Sequence, residues 1–259
     1  MDLGLKGRKA IVCASTRGLG KACALSLARE GVDVVINGRS DTHFEEACAD
    51  IRALATGTVT AVAADINTGE GRARLVAACP DADILINNND GPPPGNFQQW
   101  GEGDWSRALN ANLLAPVFMI QALLEGMKER RFGRIVNITS AMVKAPRAVM
   151  GLSTTARSGL TAMCKGLSVD VAPFNVTINN MLPERFDTER QKQMAKLAMQ
   201  FKKITYEEAR AEIADTIAAK RMGEPSEFGD ACAFLCSAQA GFISGQNLQL
   251  DGGTYPGLI

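Results

Sequence analysis

Short apolar, β-branched segments alternate along this chain with longer segments whose apolar residues recur at helical spacing. The short segments predict buried strands, and the longer ones predict helices that pack on a sheet. The predicted strands cover residues 10–13, 32–37, 59–63, 83–87, 134–138, 176–180 and 247–250. The predicted helices lie near residues 18–30, 42–55, 69–78, 104–130, 151–171, 187–220 and 225–237.

This alternation of strand and helix indicates an α/β fold, with a doubly wound, parallel sheet of seven strands covered by helices on both faces. No repeat, low-complexity tract or Gly/Ser linker divides the sequence, so residues 1–259 are predicted to form one domain. The segment 184–220 is long, charged and without a strand. We expect it to form a helical lid over the carboxyl edge of the sheet, where open α/β folds bind ligands.

The composition argues against several classes of partner. Lys plus Arg and Asp plus Glu number 28 each, so no overall charge favours nucleic acid or an anionic membrane surface. The chain has no run of eighteen apolar residues, and its first residues lack the apolar core of a signal peptide. We therefore expect a cytoplasmic protein with no nucleic-acid or membrane partner.

Cysteine and histidine usage gives no sign of a disulfide framework or a metal site. The seven cysteines are scattered without a C-x-x-C pair, and His43 is the only histidine. Such cysteines are typical of reduced, mostly buried thiols in a cytoplasmic protein, and no metal site is expected.

The first predicted strand runs directly into a glycine-rich turn before a helix. Such a turn lets backbone N–H groups at the helix N-terminus approach a pyrophosphate. An ordinary glycine-rich turn is the alternative, and Ala14 would cost energy if its backbone needs a positive φ. We predict a dinucleotide site formed by Ser15, Thr16, Arg17, Gly18, Leu19 and Gly20.

The end of the second predicted strand favours NADP(H) over NAD(H). No carboxylate is present at positions 37–39 to bind the ribose 2′-hydroxyl of NAD, and the nearest one is Asp41. Arg39 offers a planar guanidinium that can hold a 2′-phosphate with two hydrogen bonds, and Arg17 supplies a second cation. The alternative is that both arginines are simply solvated.

Several motifs, in order and spacing from about residue 5 to 254, resemble the short-chain dehydrogenase/reductase family. They include Gly18 and Gly20 of the phosphate turn, N-N-N-D at 87–90, N-A-N-L at 110–113, and the segments 179–188, 221–227 and 243–253. The resemblance implies a Rossmann fold and a nicotinamide cofactor. It also implies cofactor contacts from Asp65, Ile66, Asn88, Asn89, Pro183 and Thr188. The amide of Asn87 can alternatively tie neighbouring strands together.

The same resemblance places the catalytic group at Asn112, Ser140, Ser153 and Arg157. Family members carry Tyr-x-x-x-Lys thirteen residues after the serine, whereas this chain has Ser153 and Arg157 at those two positions. It also carries D-G-P-P-P-G at 90–95, and so resembles a 3-oxoacyl-acyl-carrier-protein-reductase-like branch that combines a similar loop with L-S-x-x-x-R. A serine hydroxyl is a far weaker acid than a phenol, and an arginine stays protonated, although it can stabilise an alkoxide.

Other groups near the predicted site leave the proton donor open. Lys144 follows Ser140 by four residues, and a desolvated lysine can act as an acid or a base, whereas the alternative is a solvated loop lysine. Tyr206 and Tyr255 are the only tyrosines, and Tyr206 lies in the predicted lid. Four cations predict a small polar or anionic substrate: Lys144, Arg147, Arg157 and Arg185.

Three functions remain open on the sequence. The first is an NADP(H)-dependent oxidoreductase in which water supplies the proton, the second is a nucleotide-binding sensor or oligomer partner without hydride transfer, and the third is a non-redox enzyme on the same scaffold. The family resemblance also implies a homotetramer, assembled through the helices near 104–130 and 151–171.

Overall fold

A computed structural model describes residues 1–39 and 42–258. Its centre is one sheet of seven parallel strands in the order β3-β2-β1-β4-β5-β6-β7. This confirms the predicted doubly wound, parallel sheet. The organisation of the whole chain as one domain stays a prediction. The strands are β1 (Lys9–Val12), β2 (Asp33–Gly38), β3 (Val59–Ala63), β4 (Ile84–Asn87), β5 (Gly133–Ile138), β6 (Val176–Pro183) and β7 (Asn247–Leu250).

Helices cover both faces of the sheet because the strands are apolar on both sides. On one face, helices α1, α2 and α9 bury Leu27, Ile51 and Phe228. On the other, helices α3, α5 and α6 bury Leu75 and other apolar side chains. The helices are α1 (Gly18–Arg29), α2 (Thr42–Leu54), α3 (Gly69–Ala78), α4 (Glu102–Leu109), α5 (Ala115–Glu129), α6 (Gly151–Val171), α7 (Glu189–Lys202), α8 (Tyr206–Asp215) and α9 (Pro225–Cys236).

Two predicted helices are not continuous α-helices. A π-helical turn, Asn110–Leu114, joins α4 to α5 within the segment predicted as 104–130. The predicted lid helix divides into α7 and α8, because Lys203 adopts the left-handed conformation with φ of 57° and Thr205 then caps α8. The helical sequence predicted over 187–220 therefore contains two separate helices.

In the part of the chain that the structure describes, one helical stretch, Glu102–Glu129, is long and apolar enough to cross a membrane. Length and composition alone give this result, and the core helices of globular proteins share both properties. Here Met119, Ile120, Leu123 and Met127 are buried in the cluster that covers the sheet. The absence of a membrane partner stays a prediction.

Four asparagines form a ladder across adjacent strands near the carboxyl edge of the sheet. The register aligns Asn87, Asn137, Asn180 and Asn247. Each side-chain amide donates to the next carbonyl in line at 2.9 Å, from Asn87 to Asn137, from Asn137 onward to Asn180, and from Asn180 to Asn247. The amide of Asn87 therefore ties neighbouring strands together, as the sequence suggested.

Replacing Asn137 with alanine is expected to lower the free energy of unfolding by about 2 kcal/mol, because it leaves buried amides on both sides without a partner. Urea unfolding at equilibrium measures the change. Asn247→Ala is the matched control, since Asn247 ends the ladder and is only half-buried, and a clearly smaller loss is expected there. Equal losses at the two positions would contradict a cooperative ladder.

Candidate active site

A crevice opens where the strand order reverses, between the carboxyl ends of β1 and β4. The turn after β1, the loop after β4 and the N-terminus of α1 line it. Predicted site residues follow each of the strands β1 to β6 at this same edge. The crevice is the place where an open, doubly wound sheet binds its ligands.

The turn after β1 brings the backbone unusually close to its neighbours. Ala14 adopts a φ of 46° and Gly18 a φ of 56°, so the turn carries an alanine in a conformation that favours glycine. A Cβ on Gly20 would meet the carbonyl oxygen of Ala14 and come within 2.6 Å of Asn88 Nδ2. Arg17 precedes α1 without making a side-chain cap, so N–H groups of the first turn remain available to a ligand.

The other residues of this turn play different parts. Ser15 is fully buried, and its hydroxyl donates to the Val12 carbonyl and accepts from the Asn37 amide, so it fixes the turn. Thr16 is half-buried beside Gly38, and Leu19 packs against the apolar cluster under α1. Contact of these three side chains with a nucleotide stays a prediction.

Arg17 and Arg39 converge on one carboxylate. The Oδ2 atom of Asp90 lies 3.3 Å from Arg17 Nη2 and 3.2 Å from Arg39 Nη2, and all three side chains are exposed. Two guanidinium groups from different strand ends therefore already hold an anionic group in common. Asp41, the nearest acid after β2 in the sequence, lies outside the described residues.

Four predicted cofactor contacts, Asp65, Ile66, Asn88 and Asn89, lie around the ends of β3 and β4. Asp65 is exposed, and Ile66 is buried in the core. The amide of Asn88 donates to the carbonyl of Ala14 at 3.0 Å, and that of Asn89 donates to the side chain of Asn67 at 2.8 Å. Both asparagines thus brace the walls of the crevice, and their contact with a cofactor stays a prediction.

Pro183 ends β6, and Thr188 precedes α7. The Thr188 methyl group lies 3.9 Å from the position of a Cβ on Gly18, so the start of the lid covers the phosphate turn. Asp187 next to it accepts two hydrogen bonds from Arg210 on α8, at 2.9 and 2.7 Å. This ion pair fastens α8 to the end of β6.

The Asp187–Arg210 pair is expected to make the stability of the protein depend on pH. The hydrogen bonds from Arg210 lower the pKa of the Asp187 carboxyl in the folded protein. The stabilisation is therefore complete above the ordinary carboxyl pKa and is lost as the pH falls through the lowered value. Asp187→Asn should reduce Tm near neutral pH, and the gap to wild type should close on acidification. A gap independent of pH would contradict this.

Ser153 and Arg157 form a buried pair on α6. Their exposed fractions are 4% and 8%, and Arg157 Nε donates to Ser153 Oγ at 3.2 Å. Arg157 Nη1 donates to the Ile138 carbonyl at 2.6 Å. Burial, with a further contribution from Arg190, lowers the pKa of Arg157 to about 10. The guanidinium thus stays charged at neutral pH although it is buried.

The other two predicted catalytic residues, Asn112 and Ser140, lie on other elements than this pair. Asn112 lies in the π-helical turn, and its amide donates to the backbone carbonyl of Asp90 at 3.3 Å. Its buried Oδ1 has no hydrogen-bond partner among the described residues, so it can accept one from a ligand or water. Asn112 and Arg157 line one small cavity together. Ser140 Oγ accepts from the Met142 amide at 3.2 Å.

Three of the four predicted cations are engaged elsewhere. Glu184 forms ion pairs with both Arg147 and Arg185, at 3.4 and 3.9 Å. The Lys144 ammonium lies 5.6 Å from the ring centre of Tyr255. The sequence interpretation missed Arg190, which faces Arg157 from α7, and missed the pairing role of Asp90. Tyr206, in contrast, packs beside Arg210, whose guanidinium carbon lies 5.9 Å from the centre of the Tyr206 ring.

The residues present fit a dinucleotide. The close backbone approach at Gly20, the uncapped first turn of α1 and the arginines bridged by Asp90 are three independent observations of this kind. No three His, Cys, Asp or Glu side chains that the structure describes lie together as metal ligands. All seven cysteines are buried and free of disulfides.

Comparison with known proteins gives one consistent picture. A family model described as enoyl-(acyl carrier protein) reductase matches residues 13–255. NADPH-dependent reductase BacG of Bacillus subtilis is 32% identical over 252 residues, which cover 95% of this chain and 97% of BacG.

Solved structures agree with the sequence relatives. The crystal structure of YwfH, an NADPH-dependent reductase involved in bacilysin biosynthesis, matches with a TM-score of 0.90 and 31% identity, covering 98% of this chain and all of that one. L-sorbose reductase from Gluconobacter frateurii, solved with NADPH and L-sorbose, matches with a TM-score of 0.94 and 25% identity over the full length of both chains.

Proposed function

The chain belongs to the short-chain dehydrogenase/reductase family, and we propose that it is an NADP(H)-dependent oxidoreductase of a small polar or anionic carbonyl or alcohol. The observation that carries this proposal is the buried hydrogen bond between Arg157 and Ser153 beside the crevice. Ser153 corresponds by family resemblance to the tyrosine of family members, and this bond supports a polarising role for its hydroxyl. Membership of the 3-oxoacyl-acyl-carrier-protein-reductase-like branch stays a prediction.

The proposed cofactor site consists of the turn after β1, the first turn of α1 and two arginines. The first turn of α1 and the glycines of the turn before it hold the pyrophosphate, and Arg17 and Arg39 hold the 2′-phosphate in place of Asp90. Related reductases named for NADPH support this choice. When bound, the nicotinamide supplies or accepts the hydride.

The side chains around Ser153 are proposed to polarise the substrate carbonyl. Arg157 donates to the Ser153 oxygen, which makes the Ser153 O–H a stronger donor to a developing alkoxide. Ser140 supplies a second hydroxyl at the end of β5, and the free Oδ1 of Asn112 can hold a water molecule. Serine is too weak an acid to deliver the proton at neutral pH, so we assign that proton to water.

One observation favours a second candidate function, a nucleotide-binding protein without hydride transfer. Ser153 is almost fully buried and already hydrogen-bonded, so a substrate reaches it only if the surrounding side chains move. Such a protein binds the cofactor as tightly as an active reductase does but catalyses no reaction. Cofactor titration alone therefore cannot separate the two functions.

Two measurements test the proposal. NADPH fluorescence titration is expected to show saturable binding, and failure to bind would reject both candidate functions. Turnover over a panel of carbonyl compounds and polyols then separates them. The double variant Ser153→Tyr with Arg157→Lys is the decisive comparison. Activity gained only in the variant favours the binding protein, whereas an existing activity lost in the variant shows that the native pair has its own mechanism.

We also propose the homotetramer that the family resemblance implies. Leu114 and Phe118 are exposed on the outer side of the α4–α5 segment, whereas Ile120 and Leu160 are buried in the core. Apolar side chains left on that outer side are consistent with an interface. Light scattering at the mass of one protomer would overturn this assignment.

A further inference from the structure

We infer that Arg157 and Arg190, which converge on Gly91, together bind a carboxylate group of the substrate. The inference rests on the proposed function for the word substrate and deepens it by naming a substrate class, a short 2-oxo or 3-oxo acid or the matching hydroxy acid. The three residues come from α6, α7 and the loop after β4. We call Gly91 and the two guanidinium groups that meet beside it the Gly91 cradle.

The distances from a Cβ atom placed on Gly91 to its neighbours describe the geometry of the Gly91 cradle. A Cβ on Gly91 would lie 3.2 Å from Arg190 Nη1 and 3.4 Å from Arg157 Nη2. Two guanidinium groups therefore converge on Gly91 and pack so closely against it that a larger side chain would crowd both. Arg190 Nη2 also donates to the Pro92 carbonyl at 3.5 Å, which holds its side chain against the same loop.

The charges around the cradle are not balanced by the protein. Arg157 is 8% exposed, and its two hydrogen bonds go to a neutral hydroxyl and a backbone carbonyl. Among the described residues, no carboxylate lies within ion-pair distance of Arg157 or Arg190. A buried cation that faces a second cation is costly unless an anion joins them. The arrangement is thus complementary to an anion.

The other cations of this edge are already engaged. Glu184 holds Arg147 and Arg185, and Asp90 bridges Arg17 and Arg39. The 2′-phosphate has its own pair of arginines, so the Gly91 cradle serves a different anion. A carboxylate matches two converging guanidinium groups in shape and charge.

Arg157 connects the cradle to the reacting group. One nitrogen of its guanidinium donates to Ser153, while another faces Gly91. The two nitrogens belong to one rigid, planar guanidinium group. An anion in the cradle and a carbonyl oxygen at Ser153 therefore lie on neighbouring edges of the Arg157 guanidinium. One substrate can reach both points if its carboxylate is bonded directly to its carbonyl carbon or is separated from it by one carbon atom. This selects 2-oxo and 3-oxo acids.

Calorimetric titration with acetoacetate tests the inference, and its methyl ester is the neutral probe. Titrations are run on the protein alone and with NADP⁺, which cannot reduce either probe. Wild type is expected to bind acetoacetate roughly tenfold more tightly than the ester. Arg190→Gln should remove most of this preference and leave ester binding unchanged. Lys196→Gln, an exposed charge change on the same helix, should leave the preference intact.

Gly91→Ala provides a steric test at unchanged charge. The added methyl group would meet Arg190 Nη1 at 3.2 Å and Arg157 Nη2 at 3.4 Å and so displace both guanidinium groups, and the preference for acetoacetate should disappear. Equal binding of the two probes by wild type, or an unchanged preference in both Arg190→Gln and Gly91→Ala, would overturn the inference. So would an equal loss of NADP⁺ affinity in these variants, because the anion would then be a cofactor phosphate. Absence of NADP⁺ binding rejects only the proposed function, since titration of the protein alone still decides the carboxylate site.

Discussion

Replacing Arg157 with methionine is expected to lower kcat/KM for a carbonyl substrate roughly a hundred- to a thousandfold, the usual cost of removing a donor that stabilises a developing oxyanion. The same change should leave the free energy of unfolding within about 1 kcal/mol of wild type or above it. The reason is that Arg157 is a buried cation without a carboxylate partner. Activity assays and urea unfolding measure the two effects.

Arg157→Lys is the matched control, because it keeps the positive charge but cannot make the bonds to Ser153 and Ile138 at the same time. We expect an intermediate loss of activity and a larger loss of stability than in the methionine variant, since an ammonium is harder to desolvate. A methionine variant that unfolds easily would show that Arg157 is mainly structural. Unchanged activity in that variant would remove Arg157 from the site.

The sequence predicted the sheet and most helices because each depends on local periodicity. The helix predicted at 151–171 agrees with α6, and the strand order follows from short right-handed crossovers. The lid was predicted less well. Its break at Lys203 depends on one left-handed residue, although the Thr205–Glu208 capping box was readable as a helix start.

The site was predictable where it follows a strand end and was not where it depends on contacts distant in sequence. Ser153 and Arg157 were found through the resemblance to the family's Tyr-x-x-x-Lys motif, and their spacing of four residues brings both side chains onto one helix face. Arg190 was missed because its neighbour Gly91 is about one hundred residues away in the chain. Glu184 forms ion pairs with both Arg147 and Arg185, whereas Arg157 has no carboxylate partner among the described residues.

The double variant Arg17→Gln with Arg39→Gln is expected to lower the affinity for NADP⁺ roughly a hundredfold and to leave that for NAD⁺ within about twofold. Both guanidinium groups already meet on Asp90, so they are placed to share one phosphate. The two nucleotides differ only in the 2′-phosphate, which makes NAD⁺ the internal control. Calorimetry at low salt measures both, and the difference should shrink as ionic strength screens these exposed charges.

Asp90→Asn is the matched variant, and it is expected to change the affinity for NADP⁺ in the opposite direction. It removes the carboxylate that competes for the two arginines while changing little in size. Because the ion pairs are exposed, we expect a gain in NADP⁺ affinity of roughly two- to fivefold, with NAD⁺ unaffected. If the double arginine variant lost affinity for NADP⁺ and NAD⁺ equally, the two side chains would instead bind the pyrophosphate that both nucleotides share. Asp90→Asn would then raise the affinity for both nucleotides alike.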